Sequence, residues 1–201
     1  MAEQHREALA ALRRGGLVAY PTDTVYGLGV HALDLQAVRR IYRAKNRPLS
    51  QPLPLLVADF DMLGRVAWLG PMARLLARRF LPGPLTLVLP KSTWVPAIVT
   101  AGRSTVAVRI PAHATPRALS AGLGAPLVGT SANLSAHPSA TSAEEVRRHL
   151  GSLVDLVIEG ECPGGQESTV LDLTQDRPHI LRQGALPQSE IEAALRSAVV
   201  T

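Results

Sequence analysis

The chain has 201 residues, of which 46% are hydrophobic and 18% charged, a composition that excludes a disordered protein and favours one compact domain over residues 1–201. The single cysteine, Cys162, excludes a disulfide framework and a thiolate zinc site, and its turn setting without a histidine partner argues against a catalytic thiol. The formal net charge of +5 favours an anionic partner, either a nucleotide, an RNA or both.

Apolar patterning predicts helices and strands that interleave along the chain, and therefore an α/β fold. A charged helix over 3–14 lacks the apolar core of a signal peptide, so we expect a cytoplasmic protein without a membrane partner. Asp34 begins a helix over 35–44, and Ser142 with Glu145 forms a capping box for a helix over 142–150. The other predicted elements are helices at 71–80 and 189–199 and strands at 17–22, 53–57, 85–89, 105–109, 127–130, 153–158, 168–173 and 179–182.

Polar side chains recur where the predicted strands end. They are found in Pro21-Thr22-Asp23-Thr24, Lys45-Asn46-Arg47, Arg109, Ser131-Ala132-Asn133, Ser168-Thr169 and Arg182. Ligands of α/β proteins bind in loops beyond the carboxyl ends of strands, where the sheet holds those loops rigidly. We therefore expect one shared cleft at this rim of the sheet.

Three cations in this set suit phosphate or carboxylate binding. Lys45 and Arg47 are two residues apart, and Pro48 disfavours helix at the residue before it, so both can project from an extended segment toward one point. The alternative is that they only offset the dipole of the preceding helix. Arg109 ends an alternating strand, where its planar fork can bind a carboxylate by two hydrogen bonds or serve only as a rim charge.

Two short motifs match known signatures only weakly. Gly27 to Ala32 fits GxGxxA, but the helix that a dinucleotide site needs at its glycines begins only after Asp34. Gly129 to Asn133 fits the nucleophile elbow GxSxG except that Asn133 replaces the last glycine. We favour glycines that let backbone approach a ligand or another strand, and a polar loop that holds a phosphate or ribose. The sequence has no HxH or HxxxH pair, which argues against zinc held by the protein, and no P-loop, so any bound ATP is held without one. Any Mg²⁺ is expected to arrive largely with the phosphates.

Together these segments resemble the threonylcarbamoyl-AMP synthases of the TsaC/YrdC type, from about Leu17 to Gly184. The markers are PTDTVYGLG at 21–29, the KxR of Lys45 and Arg47, VAVRIP at 106–111, SANLS at 131–135, ESTVLDL at 167–173 and LRQG at 181–184. The resemblance implies a single-domain, twisted, open, mixed β-sheet flanked by helices, with a concave basic cleft. It also implies that L-threonine, bicarbonate and ATP become threonylcarbamoyl-AMP and pyrophosphate, and that a partner transferase then uses the product to modify tRNA.

The same resemblance implies a role for each matching residue. Lys45 and Arg47 would contact the phosphates and carry the catalysis. Thr22, Arg109 and Ser168 would bind threonine, while Tyr26 and Gly27 would form the pocket wall. The other ATP contacts would be Thr105, Ser131, Asn133, Ser139 and Arg182, and Mg²⁺ would be carried with ATP.

Three departures from the family pattern lead to further expectations. Leu56 stands where some members carry a histidine that contacts threonine, Ala136 replaces the usual glycine after SANxS, and the chain ends at Thr201 without the C-terminal domain of longer relatives. We expect a threonine contact that is absent or moved and a stiffer nucleotide loop, and what closes the cleft stays open.

Two other functions stay open. One is a non-enzymatic RNA-binding module, although 3% aromatic residues offer few platforms for base stacking. The other is a related carbamoyl-adenylate enzyme with a different acceptor. Whether tRNA touches the chain directly is open under either function.

Overall fold

The computed structural model describes residues 2–134 and 137–199. Its helices are α1 (Ala2–Arg13), α2 (Leu35–Ala44), α3 (Phe60–Val66), α4 (Pro71–Phe80), α5 (Ala114–Leu123), α6 (Ala143–Leu150) and α7 (Gln188–Val199), with a 3₁₀ turn at Gly151–Leu153. Its strands are β1 (Val18–Tyr20), β2 (Gly27–His31), β3 (Leu55–Leu56), β4 (Leu85–Pro90), β5 (Thr105–Arg109), β6 (Leu127–Ser131), β7 (Leu156–Val157), β8 (Thr169–Asp172) and β9 (His179–Arg182).

In the part of the chain that is described, these strands form one mixed sheet in the order β7-β1-β2-β6-β3-β5-β4-β8-β9. The pairs β1/β7, β3/β5 and β4/β8 are parallel, and the other neighbours are antiparallel. The predicted single-domain α/β fold, with an open mixed sheet flanked by helices, is confirmed.

The two faces of the sheet are covered differently. One face packs against α2, α3, α4, α6 and α7 through apolar side chains such as Leu28, Val108 and Leu171. On the other face, α1 and α5 cover the β1, β2, β6 and β3 half, with Tyr20 and Leu127 in the core beneath them. The rest of that second face is left for a cavity.

Gly27 and Gly29 lie inside β2, where they make room for the Tyr20 ring on the neighbouring strand. A Cβ at Gly27 would lie 2.6 Å from Tyr20 Cε2, and one at Gly29 would lie 2.6 Å from the Tyr20 hydroxyl oxygen. A dinucleotide site is therefore not supported, because α2 begins only at Leu35, with Asp34 as its N-cap.

Three elements occur where the sequence pattern predicts none: β2, α3 and α5. In β2 two glycines remove the alternation on which strand prediction depends. In α5, Pro116 weakens the helical pattern, yet proline is tolerated there because the first turn of a helix has no internal acceptor for its N–H groups. Four predicted strands are shorter than expected: 17–22 reduces to Val18–Tyr20, 53–57 to Leu55–Leu56, 153–158 to Leu156–Val157 after the 3₁₀ turn, and 168–173 to Thr169–Asp172.

Candidate functional site

A cavity of about 650 Å³ lies on the sheet face that α1 and α5 leave open. Thr105, Ala107 and Arg109 alternate along β5 and all line it, together with Thr86 and Val88 of β4. Because side chains two residues apart point to the same face, the middle of the sheet forms the cavity floor. The predicted location at the carboxyl rim was wrong: β4 and β5 are antiparallel, so the strands share no common carboxyl end.

Nine of the ten residues predicted to contact substrates line this cavity. They are Thr22, Lys45, Arg47, Thr105, Arg109, Ser131, Asn133, Ser168 and Arg182. The tenth, Ser139, donates a hydrogen bond of 2.8 Å to Oε1 of Glu167, whose side chain does line the cavity. Tyr26, Gly27 and Leu56 are also in the wall. The residues therefore share one cavity, and the roles assigned to them remain predictions.

Lys45 and Arg47 are presented by a left-handed turn at the end of α2. Lys45 is the C-cap, and Asn46 follows with a φ of 51°, a value that asparagine tolerates better than most residues. The Asn46 and Arg47 amides then donate to the carbonyls of Arg43 and Tyr42, at 3.0 and 2.9 Å. The predicted extended segment is therefore wrong, because a Schellman-type turn at Asn46 separates the two cations.

The ammonium of Lys45 joins this turn to the loop after β6. Its Nζ donates to the carbonyl oxygens of Ser131 and Asn133, at 2.5 and 2.7 Å, and to Asn133 Oδ1 at 2.9 Å. Only 2% of Lys45 is exposed, and the pKa of its ammonium is lowered to about 8. Burial is the main cause, Arg47 acts in the same direction, and Glu167 opposes them. At pH 7 Lys45 therefore keeps its charge, and it does so close to its titration point.

The loop after β6 is held by its own polar side chains. Ser131 Oγ donates to Asn133 Oδ1 at 2.7 Å, and Asn133 Nδ2 donates to the carbonyl of His137. The next helix begins only at Ala143, so the strand-turn-helix of a nucleophile elbow is not formed. Ala136, whose effect on this loop was predicted, lies outside the described residues.

Arg109 is held from three sides by the protein itself. Its Nε donates to the Gly83 carbonyl at 2.8 Å, Nη1 donates to Thr24 Oγ1 at 3.0 Å, and Nη2 lies 2.6 Å from Asp23 Oδ1 in an ion pair. Arg109 is 5% exposed, and burial lowers the pKa of its guanidinium while Asp23 opposes that shift. Nε and Nη1 thus donate to the protein, while the fully buried Nη2 makes no hydrogen bond within the described residues besides its ion pair with Asp23.

The Thr22 hydroxyl is engaged within its own loop. It donates to the Val25 carbonyl at 2.7 Å, accepts from the Thr24 amide at 3.0 Å and lies 3.0 Å from Thr24 Oγ1. A contact between Thr22 and a substrate would require one of these bonds to be given up. In this structure Thr22 therefore serves to position Thr24, which in turn holds Arg109.

Ser168, Arg182 and Glu167 form a third polar group. Arg182 Nη2 donates to the Ser168 carbonyl at 2.9 Å, and its Nη1 forms an ion pair with Glu167. The Ser168 hydroxyl lies 2.7 Å from the hydroxyl of Thr86. Glu167 is the only carboxylate among the described residues that line the cavity. Five cations line the same cavity: Lys45, Arg47, Arg103, Arg109 and Arg182.

Asp23, Thr24, Glu167 and Arg103 were not assigned by sequence reasoning. Asp23 and Thr24 stand in the PTDT segment and Glu167 in the ESTVLDL segment, both of which were found from the sequence. Their roles were missed because each contacts an arginine in another part of the chain, Arg109 for the first two and Arg182 for Glu167. Cys162, whose setting argues against a catalytic thiol, has a sulfur that accepts from the Thr22 amide at 3.3 Å, and burial raises the pKa of this thiol.

Comparison with known proteins shows the family of this chain. A family model for Sua5, YciO and YrdC proteins, described as "Telomere recombination", matches residues 10–184. The chain belongs to the Sua5/YciO/YrdC family. Within this family it is 48% identical over 192 residues to a threonylcarbamoyl-AMP synthase of Pyrococcus abyssi, covering 94% of this chain and 56% of that protein. A protein of Halorhodospira halophila with the same name is 43% identical over 167 residues, covering 82% of this chain and 86% of its own length.

Solved structures place the Sua5/YciO/YrdC fold on nearly the whole chain. The structure of P. abyssi Sua5 complexed with L-threonine matches with a TM-score of 0.91 at 48% identity, covering 95% of this chain and 57% of that one. Escherichia coli YciO matches with a TM-score of 0.85 at 31% identity, covering 93% and 92%. The chain thus spans a little over half the length of its P. abyssi relative.

Proposed function

We propose that this chain forms threonylcarbamoyl-AMP and pyrophosphate from L-threonine, bicarbonate and ATP. The observation that carries the proposal is one cavity lined by Lys45, Arg47, Arg109 and Arg182, with hydroxyl and amide groups between them. Support comes from relatives that bear the name of this activity and from the L-threonine complex of a 48% identical Sua5. The rest of the assignment follows from chemistry.

The reaction gathers negative charge at one point. The amine of threonine adds to CO₂ to give a carbamate, a carbamate oxygen attacks the α-phosphorus, and the bond to the pyrophosphate leaving group breaks. Cations already in place stabilise the transition state because they need no reorganisation as charge develops. Lys45 as a compact charge and Arg47 as a planar fork would serve the phosphates.

Threonine would be bound through its carboxylate. Arg109 is held rigidly by Gly83, Thr24 and Asp23 and lines the cavity, where its guanidinium would pair with a carboxylate. Ser168 would add a hydrogen bond, and Thr22 would contribute through Thr24 or by a direct contact. Positioning of this kind supplies much of the acceleration when no general base is required.

The nucleotide would lie along Thr105, Ser131, Asn133, Ser139 and Arg182. Mg²⁺ is expected to enter with ATP. It binds proteins through one or two carboxylates and takes its other ligands from phosphates and water. Glu167 is the single carboxylate among the described residues that line the cavity. Glu167 therefore fits such an ion, which would neutralise phosphate charge when it is bound.

The product is a reactive mixed anhydride, so a transferase that moves the threonylcarbamoyl group to tRNA would consume it. Direct contact between this chain and tRNA is a further prediction, based on the net charge of +5. The described residues include no helix long and apolar enough to cross a membrane.

Pyrophosphate release tests the proposed reaction. Purified chain is incubated with ATP and bicarbonate, with L-threonine, with D-threonine or with neither, and the adenylate is identified by mass spectrometry. We expect release that depends on L-threonine and on bicarbonate. Release without threonine dependence would point to another acceptor, and no release together with salt-sensitive tRNA binding would favour an RNA-binding module.

A further inference from the structure

A second cavity, of about 570 Å³, lies between α3 and α4. We call it the α3–α4 groove; its lining residues are Phe60, Gly64, Ala67, Trp68, Leu69, Arg74, Ala77 and Arg78. Helices α3 and α4 pack on the sheet face that carries Val106 and Val108, whereas the substrate cavity is lined by Thr105 and Ala107. Alternation along β5 therefore puts the α3–α4 groove on the opposite side of the sheet from the substrate cavity.

The groove exposes large apolar side chains around a buried floor. Trp68 is 72% exposed and Phe60 43% exposed, whereas Ala67 and Ala77 are buried. Single apolar residues on a surface are ordinary, but aromatic residues beside a concave apolar floor are typical of binding surfaces. A flexible aliphatic or aromatic side chain of another molecule would be desolvated in this groove.

The charge around the groove is arranged in two parts. Arg74 and Arg78 are four residues apart on α4 and so lie on one side of that helix. Arg74 Nε donates to the Leu69 carbonyl at 3.0 Å, which holds its guanidinium beside the groove. Asp59 and Asp61 stand at the start of α3, where Asp59 Oδ1 accepts from the Met62 amide at 2.8 Å.

We propose that the α3–α4 groove docks a segment of a partner protein in which an apolar side chain is flanked by carboxylates. The apolar side chain packs against Trp68 and Phe60, and the carboxylates pair with Arg74 and Arg78, whose planar forks match them. The acidic first turn of α3 repels carboxylates, which orients the segment with its acidic residues along α4. This inference does not depend on the proposed reaction.

Two other occupants are outcomes of the test. In a two-fold contact between copies of this chain, each residue pairs with a different residue across the axis, so Arg74 and Arg78 would meet the acidic start of α3 in the second copy. A single-stranded RNA binds through successive aromatic platforms in a cationic channel, whereas the floor here is formed by Ala67 and Ala77.

Peptide selection tests the docking proposal. A phage-displayed library of random 12-residue peptides is selected on the full chain, and the peptides that emerge are titrated by fluorescence anisotropy. We expect an aromatic or leucine residue flanked by Asp or Glu. The dissociation constant should rise at least about tenfold in the Trp68→Ala variant and in the double variant Arg74→Glu, Arg78→Glu. It should stay unchanged in the control Arg39→Glu, a charge reversal on the exposed face of α2.

The remaining outcomes would overturn the proposal. The selected peptides could lack acidic residues, or their affinity could be unchanged by the groove substitutions. The chain could self-associate in sedimentation equilibrium, or bind a uridine 12-mer, in a way that Trp68→Ala abolishes. Thermal melting checks that each variant is folded, which the exposure of Trp68, Arg74 and Arg78 favours.

Discussion

Lys45 combines two properties that rarely occur together on a lysine. It is almost completely buried, yet its ammonium has carbonyl and amide oxygen acceptors from the loop after β6, which offset the loss of water. A cation held in this way is in place before an anionic substrate arrives, and it also fixes the end of β6 at Ser131 and the following loop at Asn133. Lys45 is therefore a structural tie and a candidate phosphate contact at once.

Replacement of Lys45 by alanine should lower the turnover number for pyrophosphate release by about 10²–10³, as is usual for loss of one electrostatic contact in a transition state. Lys91→Ala is the matched control, because Lys91, the other lysine, donates to the Val95 carbonyl outside the cavity. Steady-state kinetics on both variants, with melting curves to exclude unfolding, provide the measurement. Equal turnover in wild type and Lys45→Ala would remove Lys45 from the phosphate role.

The pH dependence of nucleotide binding should follow the Lys45 ammonium. Its pKa is lowered to about 8, so the neutral amine predominates above that pH, and affinity for an anionic nucleotide falls as pH rises. Isothermal titration with α,β-methylene-ATP should show a decrease of roughly tenfold per pH unit above pH 8 until the pKa of the bound form is reached. In Lys45→Arg the guanidinium stays charged and this decrease should disappear. The same curve for both proteins would contradict the assignment.

Arg109→Lys should mainly raise the Michaelis constant for threonine, by about tenfold, with little change in that for ATP. An ammonium cannot reproduce a planar guanidinium that reaches Gly83, Thr24 and Asp23 at once and would also pair with the threonine carboxylate. Arg103→Lys, the same change at an exposed cavity arginine, is the control. A change confined to the ATP constant would mean that the two subsites are assigned the wrong way round.

At the level of elements, what the sequence could predict depends on local pattern. Helix α2 was predicted at its observed bounds, because Asp34 caps it and its apolar residues follow the helical period. Strand β2 was missed, because its glycines are explained only by Tyr20 on the strand beside it. Likewise the segment that carries Arg109 was found, but its partners Asp23 and Thr24 were not. They belong to another loop, and Thr24 is 85 residues from Arg109 in the chain. Contacts of this kind leave no trace in a local pattern.

Strands β3 and β6 meet through a pair of residues that tests this packing. A Cβ at Gly129 would lie 2.3 Å from Leu56 Cγ, in the wall of the cavity. Gly129→Ala should therefore destabilise the protein by about 1–3 kcal/mol, the usual cost of overpacking. In the double variant with Leu56→Ala the destabilisation should be smaller than the sum of the two single changes, as measured by urea unfolding. Strict additivity would show that Leu56 moves away freely.

Over the whole molecule, the sheet gathers side chains that are far apart in the chain. The α/β class and the open mixed sheet were predictable from the sequence, but the placement of the cavity was not. Its position depends on how much of one face α1 and α5 cover, and α5 itself was not predicted. Pairing order is a property of the assembled chain, whereas periodicity reports only which residues are buried.

This gathering predicts that substrates stabilise the whole fold. A ligand that contacts α2, β5, the loop after β6, β8 and β9 binds only the folded chain, so at 100 times its dissociation constant it adds about 2.7 kcal/mol to the free energy of unfolding. For a domain of this size that corresponds to a rise in melting temperature of about 5–10 °C.

Scanning calorimetry with α,β-methylene-ATP should show this rise in wild type, and in Trp68→Ala as well, because the α3–α4 groove lies on the opposite face. In Lys45→Ala, at the same ligand concentration, it should largely vanish. A rise that survives in Lys45→Ala would place the nucleotide outside this cavity.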